Sequence, residues 1–300
     1  MLFPFQDIRI TDIPDPVTRM GQITWQVARF DQLHPVVSGN KLFKLHEFLV
    51  RARESGKKQI TTFGGAFSNH LVATAYACHM AGLRSKGFVR GEEPAIYSHT
   101  LLHCREYGME LEFLSRERYR QVSGSMHPDE DMQPDQEEIF VPEGGFHPDG
   151  ACGARLMMEY LRKIPATHIV LAVGTATTLA GILCGSLASQ EVIAIPVLKN
   201  MSDIPDRLNH LEVPAEKKTV IFEHFHFGGY AKHTPELLDY MNILYRDYGL
   251  PTDFVYTGKM MYATRELILN RHFPDGSHIL CIHTGGLQGN GSLSKGSLIF

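Results

Sequence analysis

The sequence of 300 residues lacks the features that mark several protein classes. Lys and Arg form no dense run and the formal net charge is −4, so neither nucleic acid nor an anionic membrane is expected as a partner. The N-terminus contains Pro4 and turns acidic at Asp7, unlike a secretory signal. No disulfide framework or zinc knuckle is indicated, because no CxxC pair occurs among the scattered cysteines Cys78, Cys104, Cys152, Cys184 and Cys281. These absences predict a cytoplasmic protein.

The sequence also lacks an uninterrupted apolar segment that could span a membrane and a dinucleotide-binding motif. Residues 169–188 carry no charge over the length of a membrane span, but the polar stretch GTATT interrupts them, so we expect a strand, a loop and a buried helix. No GxGxxG followed by a ribose-binding acid occurs, which leaves a dinucleotide-dependent oxidoreductase as a weakly supported alternative.

What the sequence does contain is an alternation of short apolar strands with helices, which predicts an α/β fold with largely parallel sheets. Strands are predicted at 59–63, 86–90, 110–114, 169–173, 192–198, 219–223 and 278–283. Helices are predicted at 68–81, 99–107, 116–122, 149–163, 179–188, 235–248 and 259–270. The acidic stretch 127–138, with two prolines, is expected to be a solvated loop and a candidate boundary.

Five loop motifs carry the candidate chemistry: SGNKLFKL (38–45), GGAFSNH (64–70), GTATT (174–178), YTGK (256–259) and HTGG (283–286). GTATT lies between a strand and a helix, where it is either a phosphate-binding loop or simply a tight turn. Ser68 and Asn69 in GGAFSNH are either helix caps or part of a site for a substrate carboxylate. Lys41 taken alone would be an ordinary surface charge.

In this order, the motifs resemble the 1-aminocyclopropane-1-carboxylate deaminase/D-cysteine desulfhydrase family, over about Trp25 to Gly286. That family belongs to the tryptophan synthase β-like, fold type II enzymes that use pyridoxal 5′-phosphate. The resemblance implies two open, twisted, mostly parallel sheets flanked by helices. It also implies a larger cofactor-binding domain (1–42 and 149–300), a smaller α/β domain (43–148) and a homodimer. The separations of Lys41 from Ser68 and of Tyr230 from Tyr256, 27 and 26 positions, match the family's active-site spacing.

The resemblance also implies roles for individual residues. Lys41 is expected to bond covalently to the cofactor as a Schiff base and to move the Cα proton, which requires a neutral amine. Asn69 is expected to bind the phenolic oxygen of the cofactor, and Ser68 the substrate carboxylate. The catalytic set is completed by Tyr230 and Tyr256, and the phosphate is expected to lie against Gly174, Thr175, Ala176, Thr177 and Thr178. Lys44 is either a further member of the site or a surface neighbour of Lys41.

Thr257 departs from the deaminases proper, which carry a glutamate there that we expect to pair with the pyridine nitrogen. A threonine hydroxyl makes only a neutral hydrogen bond, so the cofactor would be a weaker electron sink. That favours D-cysteine elimination, which yields pyruvate, ammonia and sulfide, over opening a cyclopropane to give 2-oxobutanoate and ammonia. A racemase, a dehydratase and a non-catalytic cofactor-binding homologue are the remaining alternatives, and the substrate is expected to be a small amino acid.

Two further sets of residues are not assigned to the site. His224 and His226 would lie on one face of a strand, but without an acidic or cysteine partner at ligand spacing we expect no metal site. Glu143, in the sequence PEGG, lies in a loop that could approach the site, but we interpret it as part of a turn.

Overall fold

The computed structural model describes residues 8–34, 36–37, 39–123 and 137–300 and shows an α/β protein with two sheets. The larger sheet has the order β1-β2-β10-β7-β8-β9, and only the β1–β2 pair is antiparallel. Its strands are β1 (Ile10–Asp12), β2 (Thr24–Ala28), β7 (His168–Val173), β8 (Glu191–Pro196), β9 (Thr219–Ile221) and β10 (His278–Ile282). The predicted fold class, with its two mostly parallel open sheets, is confirmed.

The smaller sheet has the order β5-β4-β3-β6 and is parallel throughout. Its strands are β3 (Gln59–Gly64), β4 (Arg84–Arg90), β5 (Met109–Leu114) and β6 (Glu138–Val141). Placing Glu138 in the acidic loop was wrong, because this residue begins β6; residues 127–136 of that loop lie outside the described residues. Short strands such as β1 and β6 escape prediction because three or four residues carry little periodicity.

Ten helices are described. They are α1 (Asn40–Glu54), α2 (Asn69–Ala81), α3 (His99–Glu106), α4 (Arg116–Ser123), α5 (Pro148–Arg155), α6 (Met157–Leu161), α7 (Thr177–Gly185), α8 (Ile204–His210), α9 (Pro235–Tyr248) and α10 (Thr257–Leu269). The single helix predicted at 149–163 is wrong in one respect, because it divides at Leu156 into α5 and α6. The N–H of Leu156 bonds to the Gly153 carbonyl, a tighter spacing than that of an α-helix.

Both faces of the larger sheet are covered. Along β7, Ile169, Leu171 and Val173 enter one apolar core, and Val170 and Ala172 enter the core on the opposite face. A parallel sheet buried on both faces explains why these strands read as continuous apolar runs.

Helix α1 joins the two halves of the molecule. Phe43 packs into a core of the larger sheet, whereas Leu42, Leu45 and Phe48 pack into the core that covers the smaller sheet. The start of α1, with Lys41, is therefore fixed from both sides. The domain boundaries at residues 42 and 148 stay a prediction. Within the described residues, no helix combines the length and apolar character needed to cross a membrane.

Candidate functional site

Three of the motifs directly follow the carboxyl ends of parallel strands: GGAFSNH follows β3, GTATT follows β7 and HTGG follows β10. The SGNK motif leads into α1 and YTGK begins α10. Gly39, just before α1, has a φ of 69° and donates its N–H to the Phe30 carbonyl at 2.9 Å. A Cβ at Gly39 would lie only 1.8 Å from the carbonyl oxygen of Thr284 in HTGG. Glycine is required here both by the backbone conformation and by this close approach. Ser38, the first residue of the SGNK motif, lies outside the described residues.

Lys41 is partly buried in the first turn of α1. Its Nζ donates to Asn40 Oδ1 at 3.0 Å, and Asn40 Nδ2 donates to Thr178 Oγ1 at 2.7 Å, which links Lys41 to the GTATT loop. Burial lowers the pKa of Lys41 to about 8, although the nearby Asp253 carboxylate raises it. A lysine with this pKa has a substantial neutral fraction near neutral pH, as a nucleophilic amine requires.

Two further bases lie close to Lys41 and are buried. Lys44 is 4% exposed and its Nζ donates to the Gly144 carbonyl at 3.0 Å, so it is not a surface neighbour of Lys41. His70 bonds through Nε2 to Thr62 Oγ1 at 3.0 Å. Burial, together with the charge of Lys41, lowers the pKa of both groups well below their usual values. His70 belongs to GGAFSNH, but the sequence analysis did not assign it to the site. The periodicity of the sequence does not show that the side chain of a histidine near the helix cap is buried.

Ser68 and Asn69 stand at the start of α2. The Ser68 Oγ accepts from the Leu71 N–H at 3.4 Å, so the capping interpretation is confirmed for Ser68 and not for Asn69. The amide oxygen Oδ1 of Asn69 is buried and has no hydrogen-bond partner among the described residues. An unpaired buried acceptor costs about 1–3 kcal/mol, so this side chain is suited to a bound group.

The GTATT loop forms the start of α7. Ala176 has a φ of 67°, a conformation that favours glycine, and directly precedes the helix. Thr175 Oγ1 and Thr177 Oγ1 are hydrogen bonded at 2.9 Å. A Cβ on Gly174 would lie 3.1 Å from the ring of Tyr256. The N–H groups of the first helical turn have no intrahelical acceptor, and with the hydroxyls they can bind a phosphate.

Tyr230 and Tyr256 form a pair. Their ring centroids are 6.4 Å apart and their planes are inclined at 72°. Burial raises the pKa of Tyr256 well above its usual value, and loss of hydration also raises the pKa of Tyr230, although its side chain is 52% exposed. Both phenols therefore stay protonated at neutral pH and can donate protons.

Thr257 is engaged with the protein itself. Its Oγ1 donates to Asp253 Oδ1 at 2.7 Å and accepts from the Asp253 N–H at 2.9 Å. The Asp253 carboxylate also accepts the N–H groups of Val255, Tyr256 and Thr257 at 2.8–3.0 Å, so it caps α10. While the Thr257 hydroxyl donates to Asp253, it could only accept a hydrogen bond from the pyridine nitrogen of the cofactor and could not donate one. Sequence reasoning missed Asp253, whose position four residues before Thr257 was the available signal.

Lys259, in the YTGK motif, is fully buried and bonds to the loop at residues 226–229. Its Nζ donates to the carbonyls of His226 and Gly229, both at 2.8 Å. Burial lowers its pKa to about 8, and Asp253 raises it. The sequence gives no sign that this lysine, rather than a surface one, is buried.

Glu143 contributes both a turn and a charge. Gly144 and Gly145, which follow it, have φ values of 65° and 72°, so the predicted turn is confirmed. Its carboxylate also contributes to raising the pKa of Tyr119, Tyr230 and Tyr256. Glu143 thus acts electrostatically on the tyrosine pair, although the sequence analysis did not assign it to the site.

The two histidines that were considered as metal ligands and not assigned are not on a strand. His224 and His226 stand in a 3-10 turn, Glu223–His226, so placing them on a strand was wrong. Among the described residues, no three His, Cys, Asp or Glu side chains are arranged to hold a metal ion.

The residues present fit pyridoxal 5′-phosphate. Lys41 supplies an amine of lowered pKa, the start of α7 supplies phosphate donors, and Asn69 supplies a side-chain amide whose buried oxygen is unpaired among the described residues. When bound, this cofactor withdraws electrons from the Cα of an amino acid.

Comparison with known proteins agrees with this chemistry. The family model described as "Pyridoxal-phosphate dependent enzyme" matches residues 26–285. A mitochondrial bifunctional D-cysteine desulfhydrase/1-aminocyclopropane-1-carboxylate deaminase of Arabidopsis thaliana is 28% identical over 95% of this chain and 79% of its own. A Thermotoga maritima protein named as a candidate 1-aminocyclopropane-1-carboxylate deaminase is 30% identical over 88% of each chain.

Solved structures agree on the fold. The crystal structure of a homologue of 1-aminocyclopropane-1-carboxylate deaminase gives a TM-score of 0.80 at 24% identity, covering 97% of this chain and 92% of the other. A fungal L-serine ammonia-lyase from Rhizomucor miehei gives 0.67 at 14% identity, covering 94% of each chain. The chain therefore belongs to the fold type II pyridoxal-phosphate-dependent enzymes, in the family of 1-aminocyclopropane-1-carboxylate deaminase and D-cysteine desulfhydrase.

Proposed function

We propose that the enzyme eliminates sulfide from D-cysteine, converting D-cysteine and water into pyruvate, ammonia and hydrogen sulfide. The observation that carries this choice is that residue 257 is a threonine rather than the glutamate expected in the deaminases proper. No carboxylate of residue 257 is present to pair with the ring nitrogen, so the cofactor would be a modest electron sink. A modest sink is sufficient when a good leaving group stands on Cβ, as the thiol of cysteine does.

Each site residue then has a part in the reaction. The N–H groups at the start of α2 and the Ser68 hydroxyl hold the substrate carboxylate, and the Asn69 amide donates to the phenolic oxygen of the cofactor. The neutral amine of Lys41 takes the Cα proton. The phenols of Tyr230 and Tyr256 give a proton to the departing sulfur; the contact between the two rings and the raised pKa of Tyr256 support this role.

The second candidate is deamination of 1-aminocyclopropane-1-carboxylate to 2-oxobutanoate and ammonia. One observation favours it: the Asp253 carboxylate lies directly behind the Thr257 hydroxyl and can pass part of its negative charge towards the ring nitrogen. Two relatives also carry this activity in their names.

The deciding experiment offers the purified holoenzyme D-cysteine, L-cysteine and 1-aminocyclopropane-1-carboxylate, and assays sulfide and 2-oxo acids. We expect sulfide and pyruvate from D-cysteine, with neither from the Lys41→Ala variant. 2-Oxobutanoate without sulfide would instead establish the second candidate. If the protein binds the cofactor but turns over none of these amino acids, the result would support the alternative of a non-catalytic cofactor-binding homologue.

The cytoplasmic location and the homodimer are part of the same proposal. Light scattering on the purified holoenzyme tests the dimer, since a monomer mass would refute it.

A further inference from the structure

Lys259 is a buried cation for which the proposed chemistry provides no role. It is 0% exposed and lies in the first turn of α10, near the positive end of the helix dipole. Burial lowers its pKa to about 8. Lysine is electrostatically unfavourable at such a position. Its hydrogen bonds among the described residues go to two backbone carbonyls, those of His226 and Gly229, at 2.8 Å each.

The loop that Lys259 contacts has an unusual backbone. The φ values are 51° at Phe227, 94° at Gly228, 113° at Gly229 and 53° at Ala231. Non-glycine residues in this region cost about 1 kcal/mol or more each, so such a loop needs contacts that hold it. The Lys259 ammonium bonds to both ends of the tight turn at 226–229, whose own closing bond runs from the Gly229 N–H to the His226 carbonyl at 3.0 Å.

The same ammonium connects the backbones that carry the two tyrosines. Gly229, whose carbonyl accepts from Lys259, directly precedes Tyr230. Lys259 itself follows Tyr256 by three residues, in the helix that begins at Thr257. Moving the loop away from α10 would therefore change the distance between the rings, which is 6.4 Å between centroids.

We infer that Lys259 is a positioning residue that holds residues 227–231 against the start of α10 and thereby fixes the Tyr230 hydroxyl relative to the Tyr256 hydroxyl. The inference rests on the proposed function only in treating these phenols as the proton donors. Lys259 acts through the loop, to whose backbone carbonyls its ammonium is bonded.

The test replaces Lys259 by methionine, which keeps the length of the side chain and removes the charge and donors. Fluorine NMR of fluorotyrosine-labelled holoenzyme follows the two tyrosines, with resonances assigned by Tyr230→Phe and Tyr256→Phe. We expect the Tyr230 resonance to shift and broaden in Lys259→Met. We also expect kcat to fall about 10- to 100-fold, as for a misplaced proton donor, while KM changes less than about threefold.

Thr264→Val is the matched control. Thr264 is buried on the same helix, and its hydroxyl bonds the Met260 carbonyl at 2.9 Å and lies 3.4 Å from Cys281 Sγ, neither of which belongs to the loop. This variant should weaken α10 and leave both tyrosine resonances unchanged. Lys259→Gln, which keeps amide donors without charge, should restore part of the Tyr230 signal.

If Lys259→Met does not fold, Gly229→Ala disturbs the loop from the other side, because its φ of 113° disfavours alanine. It should reproduce the shift of the Tyr230 resonance. Tyrosine resonances at their wild-type positions in Lys259→Met, or in Gly229→Ala where Lys259→Met does not fold, would overturn the inference, as would a loss of kcat in Lys259→Met no larger than in Thr264→Val. The NMR readout needs no turnover, so it remains decisive even if D-cysteine proves not to be the substrate.

Discussion

The Lys41 amine lies in surroundings that disfavour its protonated form, so that it can act as a nucleophile. Its pKa is lowered to about 8 by burial, against 10.5 for a free lysine. At pH 7 the neutral fraction is therefore about 300 times that of a solvated lysine. We expect the cofactor-free protein to react with pyridoxal at Lys41 with a rate that rises through about pH 8, measured by borohydride trapping and peptide mass spectrometry.

The neighbouring charge provides the control for this pH profile. Asp253 raises the pKa of Lys41, so Asp253→Asn should move the midpoint to lower pH. A midpoint near that of free lysine in the wild-type protein, or a rise of the midpoint in Asp253→Asn, would contradict the assigned environment.

Gly39 is a second residue whose role is geometric. Gly39→Ala would place a Cβ 1.8 Å from the Thr284 carbonyl, at a φ of 69°. We expect it to lower the free energy of unfolding by about 2–4 kcal/mol, measured in urea, and to weaken cofactor binding. Gly56→Ala is the matched control, because Gly56 has a φ of 68° and a Cβ added there would meet nothing within 4 Å. It should cost about 1 kcal/mol, and equal losses in the two variants would refute the contact argument.

At the scale of elements, the start of α10 depends on one carboxylate. Asp253 accepts three backbone N–H groups and the Thr257 hydroxyl while 1% exposed. Asp253→Ala should therefore lower the free energy of unfolding by about 2–4 kcal/mol, because buried donors lose their acceptor.

Asp203→Ala serves as the comparison for this cap. Asp203 stands at the start of α8 without a side-chain capping bond, and its ion pair with Arg207 is largely exposed. Its loss should cost less than about 1 kcal/mol in the same urea titration. A similar cost at both positions would show that the Asp253 bonds contribute little.

At the scale of the whole molecule, the site is assembled from both sheets. Lys41 lies in the first turn of α1, the helix shared by the two cores, Asn69 follows β3 of the smaller sheet, and Thr177 follows β7 of the larger sheet. A cofactor that contacts all three should stabilise the whole fold, by about 3–4 kcal/mol at 100 to 1,000 times its Kd.

Thermal unfolding with and without pyridoxal 5′-phosphate measures this stabilisation. We expect Tm to rise on binding, with a smaller rise in Lys41→Ala and with pyridoxal, which lacks the phosphate. An unchanged Tm at saturating cofactor would refute a site that spans both sheets.

The sequence alone determined the βα alternation, the N-terminal cap of α2 and the order of the motifs that carry the cofactor chemistry. These follow from local periodicity and from the residue types at each position, both of which are read directly from the sequence. Only the tertiary structure decided that Lys44 and Lys259 are buried and that the Thr257 hydroxyl is bonded to Asp253. The burial of a lysine and the acceptor of a hydroxyl depend on residues from distant parts of the chain, which local patterns do not contain.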